Sequence, residues 1–316
     1  MWRNLLEKIL KYNVLLVLLV LIAGVSLLSD KFLTSRNLQN VMLQISTDGI
    51  IAIGVTFVII TAGIDLSVGK VLALASVVAV GLQPHTGSFW AVVLALLTGA
   101  VIGVMNGLLV AKVKINPFIS TLGMRVFVEG LALGVTNTRP ISGTDPAFAQ
   151  LATTPVLGIP LAAAIFLVMV GICHYILSYT PVGRGFYAVG GNKEASWLAG
   201  IKVNGYLVAA YAFTSFTAAL AGVLLASRIN TGSPIIGRDT DLVVIAGVLL
   251  GGASMSGGSG TIVGTLLGML VLGVLNNSLN LLRVADFYQT IITGVLLVLV
   301  MLLDRYYISR ARRLYR

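Results

Sequence analysis

Residues 181–204 read PVGRGFYAVGGNKEASWLAGIKVN and form the longest polar interruption between two strongly apolar segments, Leu161–Ser178 and Tyr206–Ser227. A short helix is marked inside this stretch at both ends. Asn192 follows two glycines and suits the N-cap, because its side-chain oxygen accepts from an orphan N–H of the first turn. Glu194 then places a negative charge where the helix dipole favours one. Gly200 takes the left-handed conformation that closes the helix. The spacing predicts about two turns over Lys193–Ala199, carrying Ala195, Leu198 and Ala199 at helical spacing with Trp197 beside them. A helix this short is unstable alone in water and needs something to pack against. Two surfaces would serve: the lipid headgroups, or a groove on a soluble partner into which the helix fits as a knob.

Composition says what surrounds the loop. Of 316 residues, 57% are hydrophobic and only 10% charged. A soluble domain of this size cannot hide that much apolar surface in one core, so the chain reads as an all-α, polytopic protein of the bilayer. Its net charge of +10 would suit nucleic acid, but the charges sit between apolar runs and no basic helix interleaves with aromatics. Nucleic acid is therefore excluded as a partner. Cys173 is the only cysteine, so no intrachain disulfide forms. His85 and His174 have no ligand spacing around them, and no metal site is expected.

Ten apolar segments are expected to cross the membrane, at about residues 12–28, 46–62, 67–82, 89–111, 116–135, 161–178, 206–227, 241–252, 261–282 and 287–303. Arg3, Lys8 and Lys11 ahead of the first give it the look of a signal peptide, but no small-x-small cleavage site follows. It reads as a retained span. With the N-terminus inside, Arg3, Lys8, Lys11, Lys70, Lys112, Lys114, Arg184, Lys193, Lys202, Arg305, Arg310, Arg312, Arg313 and Arg316 collect on the cytoplasmic side. Lys31, Arg36, Arg139, Arg228, Arg238 and Arg283 are left outside. The bias puts both termini and the capped helix in the cytoplasm.

One transmembrane domain, residues 1–316, contains an internal repeat. At an offset of 170 residues, Gly103-Val104-Met105-Asn106 matches Gly273-Val274-Leu275-Asn276, and Leu72–Gly81 aligns with Leu242–Gly251. Five spans separate the copies, so the halves, about 46–135 and 206–303, have opposite orientations. Inverted repeats of this kind are common in transporters.

Polar groups inside the membrane are costly and usually face a cavity or the bundle interior. Asp65 and Ser67 lie in TAGIDLSVG (61–69), where two glycines suggest a broken helix; a plain cytoplasmic turn capped by Asp65 fits equally. Arg125 and Glu129 are four apart on one helix and are expected to neutralise each other. Asn106, Asn276, Asn277 and Asp241 are candidates for the solute path, although amides also bond across helices. The stretch GGASMSGGSG (251–260) resembles a phosphate loop, yet lacks the Lys-Ser/Thr of a Walker A motif and joins two apolar segments. It reads as a tight membrane turn, and no nucleotide site is expected in this chain.

Four stretches together carry a family resemblance: GIDLSVG (63–69), YAVGGNKEASWLAGI (187–201), GGASMSGGSGTIVGTLLG (251–268) and LGVLNNSLNLL (272–282). They resemble the permease subunits of ribose-type ABC sugar importers, in the same order and spacing from about residue 32 to 304. The resemblance implies a ten-helix type II importer permease acting as a pair, most simply a homodimer. It implies a periplasmic sugar-binding protein and an ABC ATPase subunit as partners, with ATP and Mg held by that ATPase and no catalysis in this chain. The loop around Asn192, Glu194, Ala195 and Gly200 looks like the coupling helix that docks into the ATPase. The chain departs from the family where many members carry Arg-Gly in place of Glu129-Gly130, and Glu-Leu-Asp in place of Asp239-Thr240-Asp241. A branched-chain amino-acid permease is the alternative within the class. An ion-coupled secondary transporter, with Asp65 as its coupling carboxylate, is the alternative outside it.

Overall fold

The computed structural model describes residues 2–302 other than 286, 297 and 300, with side chains from residue 14 onward. Arg305, Arg310, Arg312, Arg313, Arg316 and the end of the last expected span lie outside the described residues, as do the side chains of Arg3, Lys8 and Lys11. The chain is mostly helical: α1 (Trp2–Leu28), α2 (Ser35–Ile60), α3 (Val68–Gly81), α4 (Gln83–Ala111) and α5 (Pro117–Thr136) come first. A connecting segment follows with β1 (Ile141–Ser142), α6 (Pro146–Gln150), β2 (Pro155–Val156) and β3 (Ile159–Pro160). Then come α7 (Leu161–Tyr179), α8 (Pro181–Gly191), α9 (Lys193–Leu198), α10 (Val203–Ile229), β4 (Thr231–Gly232), α11 (Thr240–Leu250) and α12 (Ile262–Leu281). A last apolar helix, α13, covers Phe287–Leu296.

Among the described residues, six helices are long and apolar enough to cross a membrane: α2, α4, α5, α7, α10 and α12. The expected spans at 67–82 and 241–252 are instead the short helices α3, of 14 residues, and α11, of 11 residues. At 1.5 Å per residue they reach about 21 Å and 17 Å, less than the roughly 30 Å hydrocarbon core. Neither crosses alone. Helix α2 starts at Ser35, well before the expected 46, because Thr34 caps it by accepting from the Asn37 N–H; the polar first turns hide this start from hydropathy. In α4 the helical backbone breaks at Gly87, where φ is 74°.

Helix α2 is the buried centre of the bundle, with an unbroken run of enclosed residues from Gly49 to Ile60. Helices α3, α7, α10, α11 and α12 all pack on it or beside it. Two ends of the bundle are defined by contacts. At one, the Gly258 N–H donates to the Ile60 carbonyl at the end of α2 (2.8 Å), and the Tyr187 hydroxyl of α8 donates to the Gly260 carbonyl (2.7 Å). At the other, β1 pairs antiparallel with β4, Ile141 facing Gly232. There Asp145 caps α6 through the Ala147 N–H and accepts from Ser88, and these bonds hold its carboxyl below the usual range.

Asn277 of α12 and Asn37 of α2 exchange two buried side-chain hydrogen bonds, of 3.0 and 2.9 Å. Asn277 had been placed with the solute path; its amide is committed to this interhelical clamp instead. Hydrogen bonds between membrane helices average about 0.6 kcal/mol and reach about 1.7, whereas an amide left buried without a partner costs about 1–3 kcal/mol. Asn277→Leu should therefore lower the detergent unfolding temperature, and Asn37→Leu added to it should cost less than its effect alone. A coupling energy of about 1 kcal/mol is expected; simple additivity would refute the clamp.

Candidate functional site

The polar centre of the molecule lies where two helix starts meet. After α2 ends, residues 61–67 turn back into the bundle without helical structure, and α3 begins at Val68. From the other end, the chain after β4 turns inward through 233–239 and α11 begins at Thr240. Gly69 and Gly237 bring the two elements backbone to backbone: a Cβ on Gly69 would collide with the Gly237 carbonyl oxygen, and one on Gly237 would lie 2.6 Å from the Gly69 oxygen. From this meeting point α3 leads to the β4 end, where Gly232 lies against Ser76, while α11 leads to Gly251 beside Gly264.

The break at 61–67 is fully enclosed, so the cytoplasmic-turn reading of Asp65 gives way to the broken helix. Asp65 is 0% exposed. One carboxylate oxygen, Oδ1, accepts from the Ser67 N–H (2.9 Å) and the Ser67 hydroxyl (2.6 Å). The Asn106 amide of α4 donates to Ser67 Oγ at 3.0 Å. Two carbonyl-directed bonds fix the same turn: the Tyr211 hydroxyl and the Thr121 hydroxyl both donate to the Ile64 oxygen, at 3.3 and 3.4 Å. Asp65, Ser67 and Asn106 thus form one network, joined by Tyr211 and Thr121, which sequence reasoning passed over as apolar-span residues.

The charges pair differently from expectation. Arg125 does not meet Glu129. Its guanidinium donates to Asp241 Oδ2 of α11 at 2.6 Å and to the Arg238 carbonyl at 3.2 Å. Glu129 instead accepts from Lys70 of α3, at 2.7 Å. Residues four apart do share a helix face, but here that face of α5 lies against α3 and α11, each of which offers an opposite charge. Two long side chains reaching across satisfy four charges, where an intrahelical pair would strand Lys70 and Asp241 in the interior. Lys70, counted above as a cytoplasmic loop cation, is 4% exposed inside the bundle. A lysine three residues after the break, with no other basic residue near it in sequence, was the available signal.

Asn276 lines a separate open pocket of about 360 Å³, together with Gln44, Asp239, Asn280 and Gln289. Amides and a carboxylate of this kind present both donors and acceptors, the chemistry that holds hydroxyl groups. The residues of the capped loop lie elsewhere, at the α8 end. Asn192 Oδ1 accepts from the Ala195 N–H at 2.9 Å and Gly200 is left-handed at φ 82°. Ser196 is the buried residue of α9, whereas Trp197 and Leu198 are 68% and 73% exposed. Helix α8, unforeseen in the sequence, begins with Thr180 accepting from the Gly183 N–H and Pro181 in the first turn. The Thr-Pro pair is a start signal masked by four glycines.

A family model described as "Branched-chain amino acid transport system / permease component" matches residues 37–301. The chain belongs to this permease family. Among its relatives, the ribose import permease protein of Bacillus subtilis is 43% identical over 298 residues, covering 93% of this permease and 92% of its own chain. The protein of the same name from Haemophilus influenzae is 40% identical over 296 residues, 92% of either chain. The D-allose transport system permease protein of Escherichia coli is 33% identical over 301 residues, 93% of this permease and 91% of its own. No solved structure matches.

Thermal unfolding of the purified permease tests the cross-helix pairing. Arg125→Met should cost on the order of 3 kcal/mol by leaving Asp241 buried and unpaired, and adding Asp241→Leu should recover part of it. Arg125→Met with Glu129→Gln should instead add within about 0.5 kcal/mol. The reverse pattern would reinstate the intrahelical pair.

Proposed function

We propose that this permease is the membrane subunit of an ATP-driven importer for a monosaccharide, a pentose of the ribose kind. The observation that carries the reading is similarity to proteins named ribose import permease, at 40% to 43% identity over 92% or 93% of this chain. Relatives named for D-allose and L-arabinose at 33% to 37% identity support a sugar over the branched-chain amino acid of the family description.

In this reading ten helices span the membrane, the short α3 and α11 completing their passage through the non-helical segments before them. Two inverted repeats, α2–α5 and α10–α13, are supported by element boundaries that recur at the offset found in the sequence. Helices α4 and α12 end at Ala111 and Leu281, 170 residues apart. Helices α5 and α13 begin at Pro117 and Phe287, again 170 apart. Between them lie left-handed Lys114 and Arg283, at φ 63° and 55°. Asp65, Ser67, Asn106, Asp241 and Asn276 then belong to the moving centre and the solute path, which a second copy of the chain completes. Both termini and α9 face the cytoplasm, and a sugar-binding protein delivers solute to the opposite face.

The partner ATPase holds ATP and Mg and does the chemistry. Work is transferred only because ATP binds the two states of the assembly with different affinity. Helix α9 is the docking element, and its exposed Trp197 and Leu198 beside small Ala195 and Ala199 suit a tight groove. Ala195→Arg would bring a charge that must be desolvated on docking, a penalty on the order of 3 kcal/mol, above a hundredfold in affinity. The variant should reach the membrane normally, lose its ATPase on purification and transport nothing. Retained ATPase and normal uptake would refute the docking role, since an added Arg would only strengthen a helix lying on anionic headgroups. Uptake that persists with ATP clamped and the proton gradient collapsed separates this importer from an ion-coupled transporter.

A further inference from the structure

At the α8 end of the bundle, the turn between α4 and α5 and the start of α10 enclose a pocket of about 340 Å³. Lys114 and Lys193 both line it, from positions far apart in sequence, and Asn116 and Asn204 are also in the lining. Val110, Ile115, Val203 and Leu207 supply an apolar wall. The ion pairs among the described residues are Lys70–Glu129 and Arg125–Asp241, so neither pocket lysine has a carboxylate partner there. Acidic side chains are absent from the lining, and Glu194, on the same short helix as Lys193, forms no ion pair with either lysine.

We propose that this pocket binds a phosphate group between Lys114 and Lys193, with the apolar wall accommodating the glycerol and acyl end of an anionic phospholipid. Two lysines lining one cavity with no acidic residue in the lining leave uncompensated positive charge there, and a bound anion would neutralise it. Partial burial of its side chain lowers the Lys193 pKa although the residue as a whole is exposed, a cost that a bound anion offsets. Basic pockets between membrane helices near the headgroup level take phosphate headgroups in this way. Occupancy would brace Lys193, the first residue of α9, against the body of the bundle. The binding itself does not depend on the transport reading above.

The test uses the purified full-length permease in detergent, titrated with phosphatidylglycerol, with phosphatidylcholine, or with inorganic phosphate against chloride at equal ionic strength. Thermal unfolding is the readout. A saturable rise with phosphatidylglycerol and not phosphatidylcholine identifies a lipid source; the same rise with inorganic phosphate alone identifies a soluble one. In either case Lys114→Gln with Lys193→Gln should weaken binding at least tenfold, the loss of two charge-assisted hydrogen bonds, while Lys31→Gln at the other end leaves it unchanged. Both lysines are exposed, so the double variant should fold as the parent does. No rise with either anion, or a rise the double variant keeps, overturns the proposal. So does a double variant that loses its ATPase partner while keeping the lipid response, which would assign the pocket to a protein surface.

Discussion

Hydrocarbon offers no water to a free peptide group, and this constraint decides how the two helix breaks are built. The break at 61–67 is enclosed and the one at 233–239 runs from the interior to the surface, and each has backbone groups met by neighbouring parts of the chain. The turn at 61–67 has its Ile64 carbonyl met by Tyr211 and Thr121, and its Ser67 N–H met by Asp65. On the other side the Ser233 N–H donates to Ser76 Oγ, the Arg238 carbonyl accepts from Arg125, and the Asn230 carbonyl accepts from the Gly143 N–H. A break without these partners would cost several kcal/mol for every unsatisfied group. The rest of the fold, with α10 set against the enclosed α2 and α5 set against α3, supplies them.

The same neighbours carry the charges. Asp241 and Lys70 sit within the first turn or so of the two short helices, one on each side of the glycine contact. Helix α5 answers both, with Arg125 and Glu129 one turn apart. A single helix thus ties the two opposed segments together through charge, and the close Gly69–Gly237 approach ties them through backbone. Buried pairs of this kind add little net stability because desolvation offsets much of the attraction. What they do is fix register: a shift of either short helix by one residue would move its charge away from α5 and leave it uncompensated.

The long apolar helices and the cap of α9 were legible in the sequence because hydropathy and capping are local properties. The short lengths of α3 and α11 were not, since an apolar run of similar composition continues through each break and hydropathy does not register backbone turns. The break itself was half-visible in the glycines flanking Asp65, whose burial alone decides against a surface turn. The pairing of Arg125 was misread for a related reason. Spacing along a helix reports which residues share a face, not what that face packs against, and the partner 116 positions away leaves no trace in spacing. Asn277 likewise looked equivalent to its neighbour Asn276, yet one turns to α2 and the other to a pocket. The match at 170 residues was legible because Gly103 and Gly273 each sit at a close approach, against the α10 backbone and Ile45 respectively.

Helix α9 is too short to hold itself, and the way it is held says where a displacement would go. Its Ser196 is buried and α8 precedes it with only Asn192 between. Helix α8 is stapled to the bundle by an aromatic row in which Phe186 meets Phe57 of α2 at 5.1 Å and Tyr206 of α10 at 4.9 Å. Gly190 lies so near the Ile60 carbonyl that no side chain fits there, and Tyr187 holds the Gly260 carbonyl of the loop between α11 and α12. A displacement of α9 would therefore be passed through α8 to the last turn of α2 and the 251–260 loop, which α8 contacts directly. Those are the elements from which the 61–67 break and α11 depart. Packed interiors shift between discrete arrangements rather than deforming smoothly, so a push at α9 would reach the Gly69–Gly237 contact as a rearrangement of the two short helices. That route places the pairing of α5 with Lys70 and Asp241 at the point where the bundle must either yield or hold.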